Sequence, residues 1–110
     1  MGTAPKATEF ARRQAVWSYA GGMHTAQEPY AFVHPALMPE RMATDLIRSW
    51  SDVGDLVFDP FAGAGTTLKM ALLSYRRYLG FEINPEYVEV AKQRLEDAKA
   101  FQRQMRGLVE

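Results

Sequence analysis

The sequence is 110 residues long, 47% hydrophobic and 24% charged, with thirteen basic residues balanced by thirteen acids. That is the composition of an ordinary folded domain, and its neutrality gives no bulk attraction to nucleic acid or to an anionic membrane. With no cysteine there are no disulfides, thiolate nucleophiles or cysteine zinc sites, and no apolar run approaches the length of a bilayer span, so a soluble cytoplasmic chain without membrane contact is expected.

Residues 1–14 are polar and contain Arg12-Arg13, which predicts a flexible N-terminus ahead of a single domain over residues 15–106. Ala15-Val16-Trp17-Ser18-Tyr19, ended by Gly21-Gly22, predicts an edge strand. Residues 23–38 carry His24, Tyr30, Phe32 and His34 without helical spacing and read as a loop lying over something. Pro39-Glu40-Arg41 suits a helix start, because proline fits the first turn and the acid complements the positive end of the macrodipole. Met42, Leu46, Ile47 and Trp50 then mark the apolar face of a helix running to about Ser51.

After the turn Asp52-Val53-Gly54-Asp55, the run Leu56 to Phe58 predicts a strand buried on both faces, as in a parallel sheet. A glycine-rich turn follows, and then Leu68 to Leu73, apolar on most sides, predicts a short central helix. Ser74-Tyr75-Arg76-Arg77 reads as a solvated turn that ends it. Tyr78-Leu79-Gly80-Phe81-Glu82-Ile83 predicts a second strand ending in an acid and completes a βαβ unit. Asn84-Pro85-Glu86 is a cap, a first-turn proline and an acid, and Val88, Ala91, Leu95 and Ala98 mark an amphipathic helix from 85 to about 104. There is no internal repeat. The fold class expected is α/β, a partial Rossmann-like arrangement of a βαβ unit with a preceding helix and a long C-terminal helix.

Spacing separates three readings of the glycine turn. A Walker loop needs a lysine directly after its last glycine, whereas Gly63-Ala64-Gly65 is followed by Thr66-Thr67. A dinucleotide site wants a third glycine where Leu68 stands, which weakens an NAD reading without excluding it. A site for S-adenosylmethionine uses a glycine turn after one strand and an acid at the end of the next, and Glu82 lies nineteen residues after Gly63. Glycines let backbone approach a ligand, a helix amino terminus at Thr66-Thr67 favours a carboxylate, and Asp59 can meet an ammonium.

Asp59-Pro60-Phe61-Ala62-Gly63-Ala64-Gly65-Thr66-Thr67 resembles the cofactor motif of the DNA amino-methyltransferases that modify adenine N6 or cytosine N4. Within them it is most similar to the group whose catalytic motif precedes the cofactor motif. Val16-Trp17, His34-Pro35-Ala36 and Pro39-Glu40 resemble the segment that closes over the methionine end of the cofactor. Gly80-Phe81-Glu82-Ile83 with Glu86-Tyr87, Ala91 and Arg94-Leu95 resembles the adenosine-binding strand and the helix behind it. Roughly residues 15 to 96 are covered.

The resemblance implies a truncated S-adenosylmethionine-binding methyltransferase domain in which Asp59, Phe61, Ala62, Gly63 and Gly65 line the cofactor. It also implies that Thr66 and Thr67 hold its carboxylate, Glu82 its ribose and Ile83 its adenine face, with His34 and Pro35 as a lid. Phe61 as core and His34 as a helix cap are the purely structural alternatives, and Asn84, Trp17 and Trp50 are read as cap and packing residues. The family's chemistry rests on a Ser/Asp/Asn-Pro-Pro-Tyr/Phe motif that positions the target amine of a flipped base. This sequence has no Pro-Pro pair, so no catalytic residue and no metal ligand is assigned.

The expected function is the cofactor-binding part of a site-specific DNA methyltransferase from a restriction-modification setting, inactive alone. DNA would be reached through the missing half or a partner chain, and a complementing subunit or homo-oligomer is expected because two or three strands leave open edges. A non-catalytic module from a decayed or split gene, or a small NAD-binding fold, is the alternative.

Overall fold

The computed structural model describes residues 28–33 and 37–109. The expected flexible N-terminus, the edge strand at 15–19 and the lid residues His34 and Pro35 lie outside the described residues. In chain order a 3-10 turn, Pro29–Val33, precedes α1 (Glu40–Trp50), β1 (Leu56–Asp59), α2 (Thr66–Leu73), β2 (Arg77–Gly80) and α3 (Pro85–Val109). The fold class is the α/β one expected, with β1 and β2 parallel and paired from Leu56 opposite Arg77 to Asp59 opposite Gly80.

Helix α2 is central, packing against α1, α3 and both strands. Its apolar sequence on most sides reflects that position. The side chains buried around it are small: Ala43, Ala64, Ala71, Ala91 and Ala98, with Ile47 and Leu68 as the larger members. Small residues let the helices approach closely, and the apolar core is correspondingly thin.

Close approach also explains why no third glycine is needed on α2. A Cβ at Gly80 would lie 2.7 Å from a methyl of Leu68 and 3.0 Å from the Cβ of Ala62. The glycine that lets helix and strand pack therefore stands on β2, under Leu68, and not on the helix.

Several sequence expectations need correction. Strand β2 ends at Gly80 and not at Ile83. The pairing is continued by two backbone bonds, from Phe81 N–H to the carbonyl of Asp59 (3.0 Å) and from Ala62 N–H to that of Phe81 (2.8 Å). The strands are not buried on both faces. Val57 and Tyr78 face α2, while Leu56, Phe58 and Leu79 stand half exposed on the opposite side, where Phe58 meets Phe81 edge-to-face at 5.6 Å. With α2 as the layer on one side among the described residues, period-two alternation decides what is covered.

Helix α1 buries Ala43, Ile47 and Ser49 and leaves Trp50 71% exposed, so Trp50 is not a packing residue among the described residues. Arg76 is not solvated. Buried, it donates to the carbonyls of Ser74 (2.7 Å) and Ser51 (2.6 Å) and to the Ser51 hydroxyl (3.0 Å), pinning the end of α1 to the start of β2. Helix α3 runs on to Val109, five residues past the expected end. Asn84 caps it as expected, its side-chain oxygen accepting from Glu86 N–H at 2.9 Å. No helix among the described residues is long and apolar enough to cross a membrane.

Candidate functional site

The corner between β1 and α2 is built from local backbone requirements. Asp59, the last residue of β1, turns its carboxylate back to accept from Phe61 N–H at 2.9 Å, an Asx-type turn that starts the loop. Gly65 ends the loop as the N-cap of α2 at φ +83°, and a Cβ there would come within 2.7 Å of the Cβ of Ala91 on α3. Its glycine is thus required by backbone conformation and by the helix behind it. Gly65 has no side chain with which to cap α2, so the first-turn N–H groups have no capping partner from that residue.

A recess of about 120 Å³ opens over this corner, lined by Leu37, Met38, Asp59, Phe61, Ala62, Gly63, Ala64, Thr66 and Thr67. Six of the predicted site residues, Asp59, Phe61, Ala62, Gly63, Thr66 and Thr67, therefore meet in one place. Gly65 lies behind them. Glu82 stands at the rim of the corner, where its Oε1 accepts from Gly63 N–H and its Oε2 from Asn84 N–H, each at 2.8 Å. Those bonds set the carboxylate at the meeting point of the glycine loop and the start of α3. Phe61 is 85% exposed and Ile83 97% exposed, so neither is core, and Phe61 offers an open apolar face to the recess.

Leu37 and Met38 were not singled out as site residues. Their signal was position alone, immediately after the His34-Pro35-Ala36 loop. Met38 comes within sulfur hydrogen-bonding reach of the Thr67 hydroxyl, at 4.0 Å.

A second group the sequence did not reveal lies directly beneath the corner. Arg94, wholly buried, donates through Nη1 to the carbonyl of Ala64 (3.0 Å) and to the Thr66 hydroxyl (2.9 Å). Its Nη2 donates to Glu40 (2.7 Å) and its Nε to Glu28 (3.3 Å). Lys69, also buried, donates to Glu40 at 2.9 Å and to Glu28. Two cations and two carboxylates thus neutralise one another in the interior, the condition under which buried charge is tolerated. Burial pushes the Glu28 carboxyl up, but its hydrogen bonds and the charges of Lys69 and Arg94 outweigh that and hold it below the ordinary carboxylate value. Tyr30 adds a further tie by donating its phenol to Asp97 of α3, and burial with that bond pushes the phenol up. No cluster of three potential metal-binding side chains occurs among the described residues.

The fit of these residues to S-adenosylmethionine is chemical. An acid and a helix start without a side-chain cap stand at one recess, with the Glu82 carboxylate at its rim, and these are the kinds of group that can pair with an ammonium, a carboxylate and ribose hydroxyls. The recess is smaller than the roughly 300 Å³ or more typical of complete ligand pockets.

Comparison with known proteins agrees with this geometry. The family described as DNA methylase, covering N6 and N4 methyltransferases, matches residues 4–93. The orphan methyltransferase M.BamHII of Bacillus amyloliquefaciens is 45% identical over 100 residues, which is 90% of this chain and 38% of that protein. Among solved structures, the cytosine-N4-specific PvuII DNA methyltransferase superposes with a TM-score of 0.57 at 31% identity, covering 63% of this chain and 27% of that one. An M1.HpyAVI-SAM complex gives 0.55 at 34% identity, covering 56% and 30%. The chain thus spans well under half the length of the proteins it matches.

Proposed function

Given that this chain belongs to the N6 and N4 DNA methylase family, we propose that it is the S-adenosylmethionine-binding part of a DNA methyltransferase. The whole enzyme would transfer a methyl group to adenine N6 or cytosine N4. The observation that carries the proposal is the bond between Gly63 N–H and Glu82, which joins the glycine turn after β1 to the acid after β2 and closes one corner around the recess.

The cofactor would supply a methyl group made electrophilic by its sulfonium. Around it, Asp59 would meet the ammonium, and Thr66 and Thr67 with the first turn of α2 would meet the carboxylate. Glu82 would accept from the ribose hydroxyls, while Phe61, Ala62, Gly63 and Gly65 form and support the wall and Ile83 lies along the adenine. His34 and Pro35 would close the methionine end. The acceptor amine has no positioning group in this sequence, which contains no Pro-Pro pair, so transfer would require a DNA-binding catalytic segment from elsewhere in the protein or from a complementing chain, in the cytoplasm where DNA and cofactor meet. Self-association through the half-covered sheet is the homo-oligomeric version of the same need.

Calorimetric titration tests the reading. Binding of S-adenosylmethionine or S-adenosylhomocysteine in preference to NAD is expected. Binding of NAD alone would overturn it, and failure to transfer methyl to DNA with any complementing chain would remove the enzymatic half.

A further inference from the structure

Arg94 is the one wholly buried large side chain among the described residues, and it bonds four residues at once, Glu28, Glu40, Ala64 and Thr66. Charge neutralisation accounts for its bonds to Glu28 and Glu40. It does not account for Nη1, which points the other way and donates to the Ala64 carbonyl and the Thr66 hydroxyl, both at the entrance of α2. A lysine could neutralise the two acids, but only a planar fork can do so while bonding two oxygens on its other side.

The bond to Thr66 has a chemical consequence. A hydroxyl has one proton and two lone pairs. When its oxygen accepts from a guanidinium, its rotation is restrained and its own O–H is polarised as a donor. Thr66 also lines the recess.

We propose that Arg94 is a positioning residue for the cofactor's carboxylate, acting through Thr66. It holds the Ala64–Thr66 corner from behind and leaves the Thr66 hydroxyl proton for a carboxylate seated at the start of α2. The proposal rests on the S-adenosylmethionine reading above and adds a residue that touches no ligand.

The decisive comparison uses two ligands that differ only at that end. Decarboxylated S-adenosylmethionine keeps the sulfonium, the adenosine and the ammonium and lacks the carboxylate. Calorimetry is run on the 110-residue chain, wild type, Arg94→Lys and Thr66→Val, with each ligand. The second variant removes only the hydroxyl and leaves the ion pairs of Arg94 in place, so it is the informative one if Arg94→Lys folds poorly. Because a partly unfolded sample weakens both ligands equally, the ratio of the two affinities reports on the carboxylate alone.

Each variant is expected to weaken the intact cofactor by about tenfold, with the decarboxylated ligand nearly unaffected. Equal losses for both ligands, or no loss, would overturn the role of Arg94 while leaving cofactor binding intact. A wild-type chain that binds neither ligand would overturn this inference together with the reading on which it rests.

Discussion

Gly63 and Glu82 are joined by a 2.8 Å bond from backbone N–H to carboxylate. The same carboxylate receives Asn84 N–H through its other oxygen. One side chain thereby fixes the distance between the glycine loop and the start of α3, and any ligand that spans the two inherits that distance. Replacing Glu82 with glutamine keeps the shape but turns one of these acceptors into a donor. Cofactor affinity should fall by about tenfold in calorimetry, by the usual worth of a charge-assisted hydrogen bond. Affinity within a factor of two of wild type would show that Glu82 only braces the loop.

Gly65 gives a prediction about stability. Alanine there must take φ +83° and place a Cβ 2.7 Å from that of Ala91, which should cost about 2–3 kcal/mol in chemical denaturation. Adding Ala91→Gly removes the Cβ contact but leaves the Ala91 Cα at 3.0 Å and places a glycine inside α3, at about 1 kcal/mol, so compared with the Ala91→Gly single variant the Gly65→Ala cost should shrink by about 1 kcal/mol without vanishing. An unrescued double variant would mean that the loss lies elsewhere.

The depressed carboxyl of Glu28 makes an acid-sensitive tie. Its folded value lies below the ordinary 4.5, so the unfolded chain binds its proton first as pH falls. The stabilisation from this group is complete above the unfolded value and is lost as pH drops through the folded one. Melting temperature should therefore be level on this account above pH ~5.5 and decline in acid below pH ~4.5. Glu28→Gln should lower the neutral plateau and flatten the acid decline, as followed by circular dichroism. An unchanged acid slope would exclude Glu28 as a source.

The uncovered sheet face predicts association. Leu56, Phe58, Leu79 and Phe81 are all about half exposed on one side of the sheet, which has two strands among the described residues, and patches of this kind seek cover. Sedimentation velocity should show concentration-dependent self-association that weakens in the Phe58→Ser, Leu79→Ser double variant. A wild-type chain that is monomeric throughout the micromolar range would count against it.

The sequence made legible what lies within one βαβ unit. The spacing of Gly63 and Glu82, the strands, the helix beginning at the threonines and the Asn84 cap all depend on near neighbours, and their pattern survives being read in one dimension. The ion-paired cluster did not show, because Glu28 and Glu40 stand 66 and 54 residues from the Arg94 that they meet. Arg94 is marked only as part of the helix behind the strand that resembles the adenosine-binding one, and nothing in its neighbours along the chain indicates that it is buried or what it pairs with. The strand run Leu56 to Phe58 misled for another reason: an unbroken apolar run shows that both faces could be covered, but not whether a second layer is there to cover them. The same holds for Trp50, whose spacing fits the helix face but whose side chain looks outward.

From Asp59 to Arg94 the chain passes without interruption through the acid, the loop, the helix start, the strand-end carboxylate and the buried fork beneath them. Among the described residues, Leu37 and Met38 alone reach the recess from outside that stretch. A site so confined can be carried by a gene as one block. Exchanging the segments outside that block would change what is presented to the recess and keep its back wall, provided that Glu28 and Glu40, which neutralise Arg94 from outside it, are retained.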